Sequence, residues 1–175
     1  MSYSDQMLRL VEPHAGLRTT WLEAHHEWGA GQHEDGFGIR PSDEPASESG
    51  FSAWLERLER EGHPATGDGY QCHYRWIVDG DEVVGGIALR FGDDDYVGQF
   101  GHIGYGVRPS ARGKGVATWA LGEVLELARA RELARVLLVC ETDNAASVAT
   151  ITRNGGTRET GDAGAMSRYW IELGS

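Results

Sequence analysis

The run from Gly101 to Ala117, GHIGYGVRPSARGKGVA, constrains this chain more than any other stretch. Its first part, His102-Ile103-Gly104-Tyr105-Gly106-Val107, alternates larger residues with glycines, the pattern of a strand closely approached by a ligand or another backbone. Pro109 cannot donate to a ladder, so Arg108-Pro109 ends the strand. From Arg112, the residues Gly113, Lys114, Gly115, Val116 and Ala117 open a helical pattern. Glycines there let backbone N–H groups crowd together at a helix start, which carries about half a positive charge. Strand, basic turn and helix N-terminus in that order make a cradle for phosphate oxygens, with Arg108, Arg112 and Lys114 as countercharge.

The flanking sequence says which cradle this is. No Gly-Lys-Ser/Thr closes the loop, so it is not a Walker motif, and the GxGxxG dinucleotide fingerprint is absent. The loop does satisfy Arg/Gln-x-x-Gly-x-Gly/Ala, at Arg112, Gly115 and Ala117. Gly115 to Arg131 follows as an amphipathic helix, with Val116, Ala117, Ala120, Leu121, Val124, Leu127 and Ala128 on one stripe. Arg135 to Cys140, RVLLVC, is a continuous apolar run, the mark of a strand buried on both faces. Asp143-Asn144 starts a helix through Arg153, and Asn154-Gly155-Gly156 ends it.

The N-terminal half is simpler. Met7 to Val11 reads as a strand stopped by Pro13, and Leu17 to Trp28 as a helix carrying Glu23, His25, His26 and Glu27 between apolar positions. Gly29 to Gly50 is rich in Gly, Pro, Ser and acids, a long surface loop of the kind that forms lids. Ser47 to Glu61 returns to helix. Tyr70 to Val78 and Glu82 to Phe91 form a hairpin about Asp79-Gly80. An acidic turn, Gly92 to Asp95, precedes the central strand, and Ser167 to Leu173 reads as a last strand.

At 175 residues, 40% hydrophobic and 25% charged, the chain fits one globular domain spanning 1–175. A net charge of −11 argues against a nucleic-acid binder. It suits a cationic substrate drawn in by long-range steering, or simple solubility. Cys72 and Cys140 give no disulfide framework and no metal-ligand spacing. With no signal-peptide pattern and no membrane span, the expectation is a cytoplasmic protein that uses no metal and no membrane partner.

The order of strand, Arg/Gly loop, long helix, buried strand, Asn, short helix and Asn-Gly-Gly through about residues 98 to 156 resembles the GNAT superfamily of N-acetyltransferases. The resemblance implies an α/β (α+β) fold with a single mixed, mostly antiparallel central sheet, splayed at the acetyl-CoA site and flanked by helices. It implies acetyl-CoA as co-substrate, with the pyrophosphate on Arg112, Gly113, Lys114, Gly115, Val116 and Ala117. Pantetheine would pair with backbone of Tyr105, Gly106 and Val107 and meet Asn144. Many members carry a tyrosine seven residues after this asparagine as acid to the CoA thiolate, and here that place holds Ile151. Ser147, Tyr105, Cys140 and water are the remaining candidates for the acid, with Ser147 equally a helix-start residue satisfying backbone.

The attack needs a neutral amine, and His102 is the candidate base by its unperturbed pKa, or else a structural histidine. Glu23, Glu27, Trp28, Trp76 and His102 are the candidate acceptor contacts. The alternative for the acids is a solvated helix face, and for the tryptophans the core. Within the superfamily, HIGYGVRPSARGKG followed by CETDNAASVATITRNGG is similar to a bacterial small-molecule subgroup. Overall length and an acid-rich N-terminal half resemble the aminoglycoside-modifying kasugamycin 2′-N-acetyltransferases. The implied reaction is acetylation of a primary amine on a small cationic molecule, by a homodimer. A peptide acetyltransferase and a silent acetyl-CoA-binding domain are the other readings.

Overall fold

The structure, a computed structural model, describes residues 7–29, 36–63, 70–161 and 164–174. Seven strands and five α-helices make up the described fold: β1 Leu8–Val11, α1 Arg18–Trp28, α2 Glu48–Gly62, β2 Gln71–Asp79, β3 Glu82–Phe91, α3 Asp95–Phe100, β4 Ile103–Val107, α4 Val116–Ala130, β5 Arg135–Glu141, α5 Ala145–Arg153, β6 Thr157–Arg158 and β7 Met166–Glu172. The strands form a four-stranded sheet, β1-β2-β3-β4, and a three-stranded one, β5-β7-β6. Every ladder is antiparallel. The mixed α/β architecture with helices flanking an antiparallel sheet matches the expectation.

What divides the sheet is the seam between β4 and β5. A single bridge, Gly101 to Leu138, spans it. Beside that bridge the His102 N–H donates to the Leu137 carbonyl at 2.7 Å, and the Leu137 N–H donates to His102 Nδ1 at 2.9 Å. The imidazole thus takes the place of a main-chain acceptor. Beyond this join the two strands part, because no further ladder holds them.

Two cores sit on opposite faces. Alternation along β2 sends Ile77 toward α4 and Cys72, Tyr74, Trp76 and Val78 toward α1 and α2. The α4 face is aliphatic, built on Ile87, Leu89, Leu121, Val124, Leu138 and Ile151. The opposite face packs Trp21, Phe37, Phe51, Trp54 and Trp76. Ring centroids there lie 4.7 to 6.4 Å apart, mostly edge-on or tilted.

Three expectations from the sequence change here. Asp93 to Asp95 is more than an acidic turn: Asp94 accepts from the Val97 N–H at 2.9 Å and caps α3. The two-residue β6 has no counterpart in the sequence pattern. The described part of the segment read as a lid, 36–50, is anchored: Phe37 is fully buried, and the Arg57 guanidinium donates to the Gly38 carbonyl and to Asp43, each at 2.6 Å. Gly36 has φ +88° and lies against the Gly86 carbonyl, where a Cβ would stand 2.2 Å from the oxygen. Residues 30–35, including His33, Glu34 and Asp35, lie outside the described residues.

Candidate active site

Where β4 and β5 part, a cleft of about 490 Å³ opens. Tyr105, Gly106 and Val107 of β4 form one wall, and Asn144, Ala146, Ser147, Ala149, Thr150 and Arg153 the other. Arg112, Gly113, Gly115, Val116, Ala117 and Thr118 close the end at the start of α4, and Trp28 reaches in from α1. Gly113 and Gly115 have φ of +73° and +79°, the left-handed region that glycine enters without a Cβ penalty. That conformation turns the loop into α4, whose first residues, Val116, Ala117 and Thr118, line the cleft and whose first N–H groups have no partner within the helix. Backbone donors, the helix dipole and the two guanidinium groups of Arg112 and Arg153 fit a diphosphate, so the cleft suits the phosphates of acetyl-CoA.

The second helix start is equally ordered. Asn144 Oδ1 accepts from the Ser147 N–H at 3.1 Å and caps α5. The Tyr105 hydroxyl crosses the cleft from β4 and donates to Ser147 Oγ at 3.2 Å. Ile151 is 1% exposed and belongs to the aliphatic core. Its side chain offers the cleft no proton, whereas the Tyr105–Ser147 pair places two hydroxyls there.

Of the candidates drawn from the sequence, the structure brings together Tyr105, Gly106, Val107, Arg112, Gly113, Gly115, Val116, Ala117, Asn144, Ser147 and Trp28. The others fall elsewhere. Lys114 is exposed and does not line the cleft. Trp76 is fully buried in the aromatic core, so it cannot stack on an acceptor. Glu23 lies on the exposed face of α1. Cys140 is free and buried, with its thiol pushed up by burial.

His102 corrects in a more specific way. It is 6% exposed, outside the cleft lining, and its Nδ1 lone pair is occupied by the Leu137 N–H. Burial pushes its pKa down, with Arg135 and Arg90 adding to the effect against the opposing pull of Asp93. A base must have a free lone pair facing the proton it takes, and this ring spends one on the sheet.

Glu27 also has a different job from the one expected. Its carboxylate accepts from Arg108 Nε at 2.6 Å, from the Ser110 N–H at 2.5 Å and from Ser110 Oγ at 3.0 Å. Burial raises its pKa, but the Ser110 and Arg108 bonds outweigh that and hold it below the usual carboxylate range. Arg108 is thereby committed to Glu27 and is not a free countercharge. Next to it, Arg112 donates to the Val107 carbonyl at 2.8 Å and lies 5.8 Å over the Trp28 ring. The last turn of α1 therefore grips the turn that precedes the phosphate cradle.

Sequence reasoning missed Thr118, Thr150 and Arg153 in the lining, and the Glu27 clamp. The α5 residues had a legible signal: Ala146, Ala149, Thr150 and Arg153 recur at three- and four-residue spacing on the helix that Asn144 opens. The clamp had none, since it joins positions more than eighty residues apart.

Comparison with known proteins agrees with this geometry. Residues 22–155 match the family model described as the acetyltransferase (GNAT) family. No curated protein matches by sequence. Among solved structures, the microcin C7 self-immunity acetyltransferase MccE, in complex with acetyl-CoA and AMP, superposes with a TM-score of 0.67 at 17% identity, covering 94% of this chain and 92% of that one. A putative ribosomal-protein-serine acetyltransferase from Vibrio cholerae gives 0.66 at 16% identity, over 98% and 99%. RimL, a ribosomal L7/L12 α-N-protein acetyltransferase in complex with coenzyme A, gives 0.67 at 19%, over 94% and 93%.

Proposed function

Because the chain belongs to the GNAT acetyltransferase family and is an acetyl-CoA-dependent N-acetyltransferase, we propose that it acetylates a primary amine of a small molecule and that Tyr105 and Ser147 manage the proton at the departing sulfur. Acetyl-CoA supplies an activated acyl group on a good leaving thiolate. Gly113 to Ala117, Arg112 and Arg153 hold its phosphates, and the open backbone of Tyr105 to Val107 receives the pantetheine arm. The amine nitrogen bonds to the acyl carbon as the carbon–sulfur bond breaks. The thiolate takes a proton from the hydroxyl pair, which solvent then reprotonates, and the amine releases one proton to solvent.

The observation that carries this reading is the hydroxyl pair itself, 3.2 Å apart across the cleft, beside a buried Ile151. The expected aminoglycoside acceptor has no such support. It rested on overall similarity, length and an acid-rich N-terminal half, and of the two acids offered as acceptor contacts Glu23 faces solvent and Glu27 is held by Arg108. A second reading, a peptide amine, is favoured by the ribosomal-protein acetyltransferases among the structures this chain resembles. Cys72 and Cys140 are both free and buried, which fits the proposed cytoplasmic setting.

The test is thiol release from acetyl-CoA against amino acids, simple amines, aminoglycosides and short peptides. Turnover with free small amines supports the proposal. Turnover confined to peptides replaces it with the second reading. Acetyl-CoA binding without turnover on any acceptor makes this a silent binding domain.

A further inference from the structure

The segment that joins α1 to α2 is held by an ionic knot, no member of which lines the cleft. Arg57 of α2 donates through Nη2 to the Gly38 carbonyl and to Asp43 Oδ2, each at 2.6 Å, and through Nη1 to Glu61 Oε1 at 2.9 Å. Glu61 also accepts from Arg40 at 2.7 Å and, on its other oxygen, from the Tyr74 hydroxyl at 2.6 Å. Asp43 Oδ2 accepts the Arg40 N–H at 2.7 Å as well. The side chains of Arg57, Asp43 and Glu61 are only 14%, 11% and 11% exposed. Taking one partner from a buried ion pair leaves the other charge uncompensated, so the knot stands or falls as a unit.

What the knot holds is Phe37. Its ring is followed by Gly38, whose carbonyl Arg57 grips, and preceded by Gly36, which rests on the Gly86 carbonyl. There is no slack at Gly38: a Cβ there would stand 2.4 Å from the Tyr74 ring, and Tyr74 is itself tied to Glu61. Phe37 covers Gly86, where a Cβ would stand 2.5 Å from the phenyl ring. Gly86 pairs with Gly106, and Gly106 lines the cleft. Phe37 also meets Trp28 edge to face at 5.6 Å. Trp28 reaches the cleft, and Arg112 lies 5.8 Å over its ring. Contacts therefore run from Arg57 through Phe37 and Trp28 to the guanidinium beside the glycine turn.

We propose that Arg57 is a positioning residue for donor binding: with Glu61 and Asp43 it fixes Phe37, which seats the Trp28 ring, which in turn holds the Arg112 guanidinium in register with the diphosphate. This deepens the acetyltransferase reading and rests on the donor cleft described above. A knot that only stabilises the fold would behave differently. Its loss would act on binding to the same extent whatever residue stood at 28. A positioning knot acts through the Trp28 ring and has nothing left to act on once that ring is gone.

The experiment is titration calorimetry with CoA on the full chain, for the wild type, Arg57→Met, Trp28→Leu and the double variant, beside urea unfolding of each. Arg57→Met is expected to weaken CoA binding about fivefold when Trp28 is present, the coupling of residues that share a chain of contacts. In the Trp28→Leu background the same change is expected to leave CoA affinity where it was, while lowering stability in both backgrounds. Unchanged CoA affinity in a folded Arg57→Met protein overturns the proposal, and so does an equal loss in the two backgrounds. Should Arg57→Met fail to fold, Asp43→Asn, which keeps the side-chain shape and an acceptor oxygen, takes its place; a smaller loss is expected, again abolished by Trp28→Leu, and no loss or an equal one overturns the proposal. Absence of CoA binding by the wild type refutes the donor cleft itself, which distinguishes that failure from failure of the knot.

Discussion

The two faces of the β1–β4 sheet are packed with different materials. Under α4 the contacts are aliphatic, and the cleft above them is made largely of backbone: strand amides, a left-handed glycine turn and two helix starts. Under α1 and α2 five aromatic rings interlock, and from that face come the side-chain-specific elements Trp28 and Glu27. Backbone recognition fixes a common donor while placing little demand on side-chain identity. The aromatic block, whose edge-on rings resist sliding, holds α1 so that Glu27 and Trp28 meet the donor loop in one register.

The largest effect that tests this contrast is on stability. Trp76 touches Trp21, Phe37, Phe51 and Trp54, so Trp76→Ala should cost about 3–5 kcal/mol in urea unfolding, against about 1 kcal/mol for Ile87→Val on the other face. Similar costs for the two would erase the distinction. Next comes the donor loop. Gly115→Asp adds a Cβ at φ +79° and a negative charge at a helix start facing phosphate, and acetyl-CoA affinity should fall by tenfold or more, a loss of about 1.4 kcal/mol. Titration calorimetry on the folded variant checks it, and unchanged affinity would move the phosphates elsewhere.

A smaller loss, about tenfold in kcat with the acetyl-CoA KM little changed, is expected for Tyr105→Phe. Ser147→Ala should lose a similar amount, and the double variant should lose no more than the worse single one, because the two hydroxyls act as a unit. Glu27→Gln should raise the acetyl-CoA KM about threefold, roughly 0.7 kcal/mol, while sparing kcat, since it loosens the turn before the cradle without touching the reacting atoms.

The smallest effect is in pH. The folded protein holds the His102 pKa down, so the stability it confers is complete above the unfolded value near about 6.5 and is lost as pH falls through the folded one. His102→Gln keeps an acceptor for the Leu137 N–H and should flatten that part of the stability profile. The Glu27 contribution, from a lowered carboxylate, should vanish only in a lower window, below about 4.3. A wild-type profile flat from pH 7 to 5, a range bounded by the reference histidine value, would contradict the role given to the imidazole.

The donor half was legible in the sequence because its chemistry is local. Arg112, Gly115 and Ala117 lie within six residues, and the Asn144 cap starts the helix that carries its own cleft face. Secondary structure followed from period and punctuation, apart from α3 and β6, which are short enough that a cap or a two-residue pairing decides them. The acceptor half was not legible. Glu27 reads as a solvated helix acid until Arg108 folds onto it, and Trp76 is open between acceptor contact and core until four other rings enclose it.

The seam at His102 carries a mechanical consequence. With a single bridge and two hydrogen bonds beside it joining the sheets, the strands behave as the arms of tongs pivoted at one end. The spread of the jaws, and so the fit of anything lying between them, is then governed from the pivot, by an imidazole that need never touch what the jaws hold.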